Sequence, residues 1–490
     1  MSSRLEHRPI PFASSPAATL AGQASAGATQ DVRSAVQSLD GGRSPFFRET
    51  VAAIIFFGIV FLIYSSVWKN APYVEPDTPG YQQLARDLKN GTLNQLSLRT
   101  PGLPILLLMT GSETTPTRSF YLVSLAMHLV SIGLLAFLLR YFRVSKWRTA
   151  LFMLLAALPP FVETAAYMTS ETLSEFLVVL TCVALAAWLI TKRTTFMVIF
   201  GLAATSAAST RPTFQALTVV IWVCVFACYY FGYLRHFSLR SLMISAAATI
   251  LFSFGAQGAF AAFNYERFGY LGMSGYPPYG LSTKVVGVLE SAPDRDAEVR
   301  DILIRHRDRL LVDPNYDHTG QNYIFRAMPE LVSYYRGDQM RALKKVQELS
   351  IYLIKARPMS YIAECLKAAA VYWMPTDGSL SGAGSNARRA VWALMQFAII
   401  GLFFLQFLAL VGYATHSLTA YTAGRFGSGL LIPWYVAGSA VICYTMAVSC
   451  MVAIGLARYR VPTDLLIMAV TILGFEIWKQ NLSGIKKTGY

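Results

Sequence analysis

Charge is scarce in this chain. Only 14% of its 490 residues are Asp, Glu, Lys or Arg, where soluble domains carry roughly 25%. Hydrophobic residues make up 54%, and the mean hydropathy is +0.43. These values exclude a soluble enzyme, a wholly disordered chain and a disulfide scaffold. Cysteine is scarce as well. Of the six, Cys182, Cys224, Cys228, Cys443 and Cys450 sit inside apolar runs, where a thiol is a small packing group, and Cys365 alone lies outside. Neither a disulfide framework nor a zinc spacing results. No G-x-x-x-x-G-K-[ST] loop occurs, so ATP-driven transport has no support. The lack of a soluble dinucleotide-binding module also weighs against a nucleotide-sugar enzyme. Acid is the rarer sign of charge, 27 residues against 42 basic ones, a net +15. In a membrane protein that excess reflects Lys and Arg gathered in cytoplasmic loops rather than nucleic-acid binding.

Long apolar runs are what the chain has in quantity. A hydrocarbon core about 30 Å thick takes about 20 helical residues to cross. Runs of that kind occupy 49–68, 118–140, 148–167, 172–191, 213–234, 241–262, 390–413 and 429–455, with shorter, weaker ones at 195–210 and 463–479. The expectation is an all-α polytopic membrane protein of about ten transmembrane helices. Residues 1–45, rich in Ser, Ala, Gly and Gln, read as a disordered cytoplasmic tail without signal-peptide character. An N-terminal transmembrane module over 46–263 follows, then an extracytoplasmic, mostly helical segment at 264–389. The helices of 390–480 and a short cytoplasmic tail at 481–490 complete the chain.

Short-loop charge orients the spans. Arg140, Arg143, Lys146, Arg148, Lys192, Arg193, Arg235 and Arg240 fall on one side, which the positive-inside bias makes cytoplasmic. The localisation expected is a bacterial inner membrane with the N-terminus inside. Two outer segments, 69–117 and 264–389, are too long to be mere connectors. The first predicts a short helix from Pro79 to Leu88, ended by Asn90-Gly91. In the second, Leu343, Val346, Leu349 and Leu353 recur at helical spacing. They predict a helix lying on protein or on the membrane surface, broken at Pro358 before another over 360–373.

Polar residues at the outer ends need explaining. Asp77 precedes Pro79 and suits a helix N-cap. A cap also fixes a carboxylate for catalysis, and the two roles are compatible. Glu75 is either a second acid or solvated. Arg99, in Arg99-Thr-Pro101-Gly-Leu-Pro104 before the apolar stretch Ile105–Met109, either snorkels to headgroups or grips a phosphate. Glu171, in Thr169-Ser170-Glu171-Thr172, is either an ordinary first-turn acid behind a Ser170 cap or a cavity-facing carboxylate. Arg211, Arg458 and Arg460 place positive charge on the outer side, against the general bias. His306, Asp313, Asp317 and His318 match no strong metal-ligand spacing and read as a solvated loop.

Taken in order, Pro76-Asp77-Thr-Pro-Gly-Tyr81, Arg99-Thr-Pro-Gly-Leu-Pro104, Thr169-Ser-Glu171-Thr-Leu173, Thr210-Arg211-Pro212 and Ala457-Arg-Tyr-Arg-Val-Pro462 resemble a polytopic GT-C glycosyltransferase. The resemblance is to the protein mannosyltransferase and aminoarabinose transferase superfamily, with its rhizobial galacturonosyltransferase-like branch, over roughly 50–480. Many members carry Asp-Glu where this chain has Asp77-Thr78. The resemblance implies a polyprenyl-phosphate-sugar donor and inverting transfer to a glycan, lipid or protein hydroxyl at the outer membrane face, with membrane lipids and no nucleic acid as partners. Asp77 and Glu171 become the catalytic acids, and Arg99, Arg211, Arg458 and Arg460 the donor-phosphate contacts. Glu75, Tyr81, Tyr459 and Lys284 are expected to bind substrate. Whether a divalent metal ion assists stays open. The competing readings are a polysaccharide ligase or polymerase using a polyprenyl-diphosphate carrier, and a secondary transporter of anionic solutes. No convincing internal repeat supports the latter.

Overall fold

A computed structural model describes residues 45–313, 321–376, 386–421 and 430–487. Among them the secondary structure is helical, with one isolated parallel bridge between Tyr73 and Tyr167. Two compact units divide after Leu62. The first holds most of helix α1 (Pro45–Val67), and the second holds all the other helices. The residues expected as a tail before Pro45, together with Asp317 and His318, lie outside the described residues.

The loop between α1 and the next apolar span, expected to lie outside, carries α2 (Thr78–Asn90) and α3 (Gly102–Met109). Then come α4 (Arg118–Tyr141), α5 (Lys146–Ala156) and α6 (Pro159–Val162), the last continuing as a 3-10 turn over Glu163–Ala166. The helices α7 (Glu171–Thr191), α8 (Thr194–Thr210), α9 (Leu217–Tyr230) and α10 (Leu239–Phe268) follow. The second long segment, likewise expected to lie outside, contributes α11 (Tyr276–Thr283), α12 (Ala297–Val312), α13 (Tyr323–Tyr334), α14 (Gln339–Ala356) and α15 (Pro358–Tyr372). Last are α16 (Asn386–Tyr421), α17 (Leu431–Val452) and α18 (Val461–Lys487). The final helix runs past residue 480, where the sequence suggests a tail.

Among the described residues, eight helices are long and apolar enough to cross a membrane. The run at 148–167 is not one straight span. It bends by 60° between α5 and the Pro159–Ala166 stretch, because Pro159 and Pro160 withhold the amide hydrogens a continuous helix needs. Helix α8, with 17 residues, completes the ten apolar segments read from the sequence. The chain is an all-α polytopic membrane protein.

Of the two weak runs, the last span is an interior helix, and α8 buries one face while exposing Val198 and Leu202 on the other. Of the apolar window of the last span, 83% is buried, with α18 packed on α7, α16 and α17. Protein neighbours let it carry Asp464, Thr471 and Glu476, which lower its hydropathy. Helix α8 packs against α7 and α10, and its buried Gly201, Ala203, Ala204, Ala207 and Ala208 let backbones approach closely. Inside the bundle, His128 Nδ1 of α4 lies 2.7 Å from Glu175 Oε1 of α7. That buried polar pair ties two neighbouring helices.

The second outer segment has its own core. Leu343, Val346, Leu349 and Leu353 of α14 face Leu303 and Leu310 of α12, Ile324 and Leu331 of α13, and Leu96 of the first outer loop. The amphipathic pattern of α14 is therefore satisfied by protein.

The 69–117 loop is joined both to the bundle and to the 264–389 segment by close contacts. Thr100 Oγ1 donates to Thr210 O at the end of α8 (2.8 Å), and Gly275 N donates to Ser97 O (2.8 Å). At Gly102 a Cβ would fall 2.4 Å from Thr210 Oγ1 and 2.8 Å from Ser209 O. Gly102→Val should therefore destabilise the protein by about 1–3 kcal/mol, the usual range for overpacking. A lowered thermal midpoint in detergent would show it, and an unchanged midpoint would mean the loop does not rest on α8.

Candidate active site

The site begins with how the first outer loop is held. Tyr73 N donates to Ala166 O (2.7 Å) and Met168 N donates to Tyr73 O (2.9 Å), laying the loop beside the strip that leads into α7. Thr78 Oγ1 accepts from Glu75 N (2.9 Å) and donates to Met168 O (2.9 Å). These bonds seat Asp77 at the start of α2. Its carboxylate makes no cap bond to the helix. It points instead at two guanidinium groups.

Arg99 Nη2 donates to Asp77 Oδ1 and Arg458 Nη2 donates to Asp77 Oδ2, each at 2.7 Å. Arg458 also lies 3.8 Å from Glu75 Oε2 and 4.0 Å from Glu171 Oε1. Arg211 Nη1 sits 3.5 Å from Glu171 Oε1. Three carboxylates and three guanidiniums, from five separate stretches of chain, thus meet as a charge-balanced cluster. Aromatic faces hold the cations in place: the Arg99 guanidinium lies 5.0 Å from the Tyr81 ring centre, and that of Arg211 lies 5.0 Å from the Tyr459 ring centre. Both Arg211 Nη1 and Arg458 Nε are buried without a hydrogen-bond partner among the described residues. Such orphaned cationic donors are well placed to receive an anion.

The acids sit in different electrostatic environments. Burial pushes the Asp77 carboxyl up, but the charges and hydrogen bonds of Arg99 and Arg458 outweigh it and hold the group below the usual carboxylate range. Glu75 goes the other way. Burial raises it, and the nearby negative charges of Glu171 and Asp77 add to that against the opposing pull of Arg458.

Two cavities flank the cluster, and Glu171 lines both. One, of about 310 Å³, is walled by Asp77, Tyr81, Arg99, Arg211 and Tyr459, with Val448 and Val452 giving it an apolar side. The other, of about 440 Å³, is lined by Glu75, Glu163, Tyr167, Met374 and Arg458. Eight of the ten site residues read from the sequence, Glu75, Asp77, Tyr81, Arg99, Glu171, Arg211, Arg458 and Tyr459, therefore surround one pair of cavities. Sequence reasoning missed Glu163 and Tyr276, which also line the walls. Glu163 had a signal, as an acid inside an otherwise apolar run. Tyr276 had none beyond a Pro/Gly/Tyr stretch.

Two expected contacts fall elsewhere. Arg460 lines neither of these cavities and is 1% exposed. It donates from Nε to Asp464 Oδ1 (2.7 Å), from Nη1 to Tyr372 O (3.0 Å) and Met374 O (2.8 Å), and from Nη2 to Gln396 Oε1 (3.1 Å). The position two residues past Arg458 turns inward, so its guanidinium is spent on holding the 372–376 wall. Lys284 likewise lines neither cavity. Its ammonium is buried without a hydrogen-bond partner among the described residues, and burial pushes its proton affinity down.

As for a metal ion, no three His, Cys, Asp or Glu side chains among the described residues converge as a ligand set. Glu75, Asp77 and Glu171 each face an arginine, a poor arrangement for carboxylates meant to coordinate a cation. His306 is paired with Glu330 at 2.9 Å.

Removing the Arg460 side chain should strand Asp464 in the interior. Arg460→Met is expected to cost about 3–5 kcal/mol, the range for breaking a buried pair, and Asp464→Leu in the same chain should restore much of it. Thermal unfolding of both variants in detergent checks this; equal midpoints for the single and double variants would contradict it.

No family model matches this chain, and no curated protein matches it in sequence. Among solved structures, it is similar to the archaeal oligosaccharyltransferase AglB from Archaeoglobus fulgidus in complex with an inhibitory peptide and a dolichol-phosphate. The identity is 14% and the TM-score 0.44, over 91% of this chain and 52% of that one. It is similar also to the Archaeoglobus fulgidus oligosaccharyltransferase in the apo form, at 14% identity and a TM-score of 0.43, over 89% and 51%. The chain spans about half the length of these structures, and a likeness of this size assigns no activity.

Proposed function

We propose that the protein is an inverting glycosyltransferase that moves a sugar from a polyprenyl-phosphate donor to an acceptor hydroxyl at the outer face of the cytoplasmic membrane. The observation that carries this reading is the clamping of Asp77 between Arg99 and Arg458, beside the Arg211–Glu171 pair, where two cavities meet. Few reactions need one positioned carboxylate and several cations at the polar end of an apolar bundle. Glycosyl transfer from a lipid phosphate is one of them.

The chemistry follows from the parts. A sugar hydroxyl is a weak nucleophile, so a carboxylate must take its proton as it attacks, and Asp77 is placed for that. The hydroxyl oxygen bonds to the anomeric carbon from the face opposite the leaving group, which inverts the centre. The bond from that carbon to the phosphate oxygen breaks, and its electron pair stays on the phosphate. A phosphate needs no general acid to leave, but it needs positive charge as it gains its second negative charge, and preorganised guanidiniums supply this. The apolar side of the smaller cavity, at Val448 and Val452, suits the first isoprene units, and the larger acidic cavity suits a hydroxyl-rich acceptor.

Purified protein should release polyprenyl phosphate from a labelled polyprenyl-phosphate monosaccharide. Release only from an oligosaccharyl-diphosphate carrier would make it a ligase or polymerase, and release from neither would end the enzymatic reading. Asp77→Asn should fold and insert yet lose at least about a hundredfold in turnover, the low end for a missing general base. The rate should also fall as pH drops into the range where Glu75 takes up its proton, above that of an ordinary glutamate. Glu75→Gln should move that acid limb in kcat/KM, which reports the donor-free protein, where Arg99 and Arg458 keep Asp77 ionised below the range of Glu75. An unmoved limb would assign the titration elsewhere.

A further inference from the structure

We propose that Asp77 and the donor's phosphate compete for the same two guanidinium groups, so that the donor must bind before the acceptor and, in binding, releases the base. This inference rests on the glycosyltransferase reading above. Its geometry is explicit: both Asp77 oxygens are occupied, one by Arg99 and one by Arg458, each at 2.7 Å. A carboxylate held at both oxygens by cations has little affinity for a proton, and its depressed proton affinity agrees with this. In the form without donor the base is therefore idle.

The balance of charge shows how the donor changes this. Glu75, Asp77 and Glu171 carry three negative charges, and Arg99, Arg211 and Arg458 carry three positive ones. A phosphodiester brings one more negative charge into the cluster. Arg211, whose Nη1 has no hydrogen-bond partner among the described residues, offers the first contact. Once Arg99 and Arg458 turn to the phosphate, Asp77 loses its two donors and gains proton affinity. Transfer then moves one unit of negative charge from Asp77, which becomes the neutral acid, to the phosphate, which becomes the dianion. The net charge of the pocket is the same before and after. The guanidiniums freed from the carboxylate are thus the ones that meet the growing charge on the leaving group, and the cycle closes when the polyprenyl phosphate departs, Asp77 gives its proton to water, and the two guanidiniums return to its carboxylate.

The test is direct binding of a tritiated polyprenyl monophosphate to the full chain in nanodiscs. Without its competitor, Asp77→Asn should bind the probe at least about fivefold more tightly than wild type, the low end of a typical coupling between two ligands. Asp77→Ser should do the same, should the Asn variant fail to purify as a folded monodisperse protein. Glu75→Gln, which removes a charge 3.8 Å from Arg458 but leaves the clamp in place, should tighten binding clearly less than the Asp77 variants do. Equal or weaker binding by the Asp77 variants would mean that Asp77 only props up the arginines, and it would overturn the competition alone. Equal tightening by Glu75→Gln would reduce the effect to bulk charge and overturn it too. If neither wild type nor any variant binds the probe, the donor assignment itself falls, and the competition falls with it.

Discussion

A partly desolvated carboxylate shared by two guanidiniums is the interaction on which the rest of this structure turns. Arg99 reaches Asp77 from within the same outer loop, and Arg458 reaches it from the start of the last span. Each group would be costly to shelter alone, because taking an isolated charge from water carries a large penalty. Together with Glu75, Glu171 and Arg211 they cancel. That cancellation allows a cluster of six charges to persist among the helix ends and loops of an apolar bundle, and it leaves two cationic donors, Arg211 Nη1 and Arg458 Nε, without a hydrogen-bond partner among the described residues.

The cluster constrains the fold around it. The loop carrying Asp77 must lie against the strip before α7, which explains the bonds of Tyr73 and Thr78 to residues 166–168. The strip can run there because the preceding apolar segment breaks at Pro159-Pro160 instead of crossing straight. Arg99 must sit at the end of α8, which explains the tight seat of Gly102 on Ser209 and Thr210. Arg460, two residues from Arg458, holds the opposite wall through Tyr372, Met374 and Gln396. Tertiary bonds that look merely structural therefore all bear on where two cavities open.

Much of this was legible in one dimension. All ten apolar runs correspond to helices, because burial in lipid or protein demands long stretches without charge. The spacing of Leu343, Val346, Leu349 and Leu353 announced α14, because one face of that helix had to be covered. Glu163 was hidden by its surroundings: averaged over a window, one acid among apolar residues does not lower hydropathy enough to show that the helix bends there. Arg458 and Arg460 were indistinguishable in sequence, yet one faces the cavities and the other is locked inside.

By itself, then, the sequence determined the number and order of the apolar helices and the gathering of polar residues at their ends. Hydrophobicity and helical period act locally along the chain. Only the tertiary structure decided which arginine meets which carboxylate. Asp77 and Arg458 are 381 residues apart, and their encounter depends on how α7, α8, α17 and α18 pack. The direction of each side chain at a helix end is set by that packing, to within a fraction of a turn that no composition or spacing records.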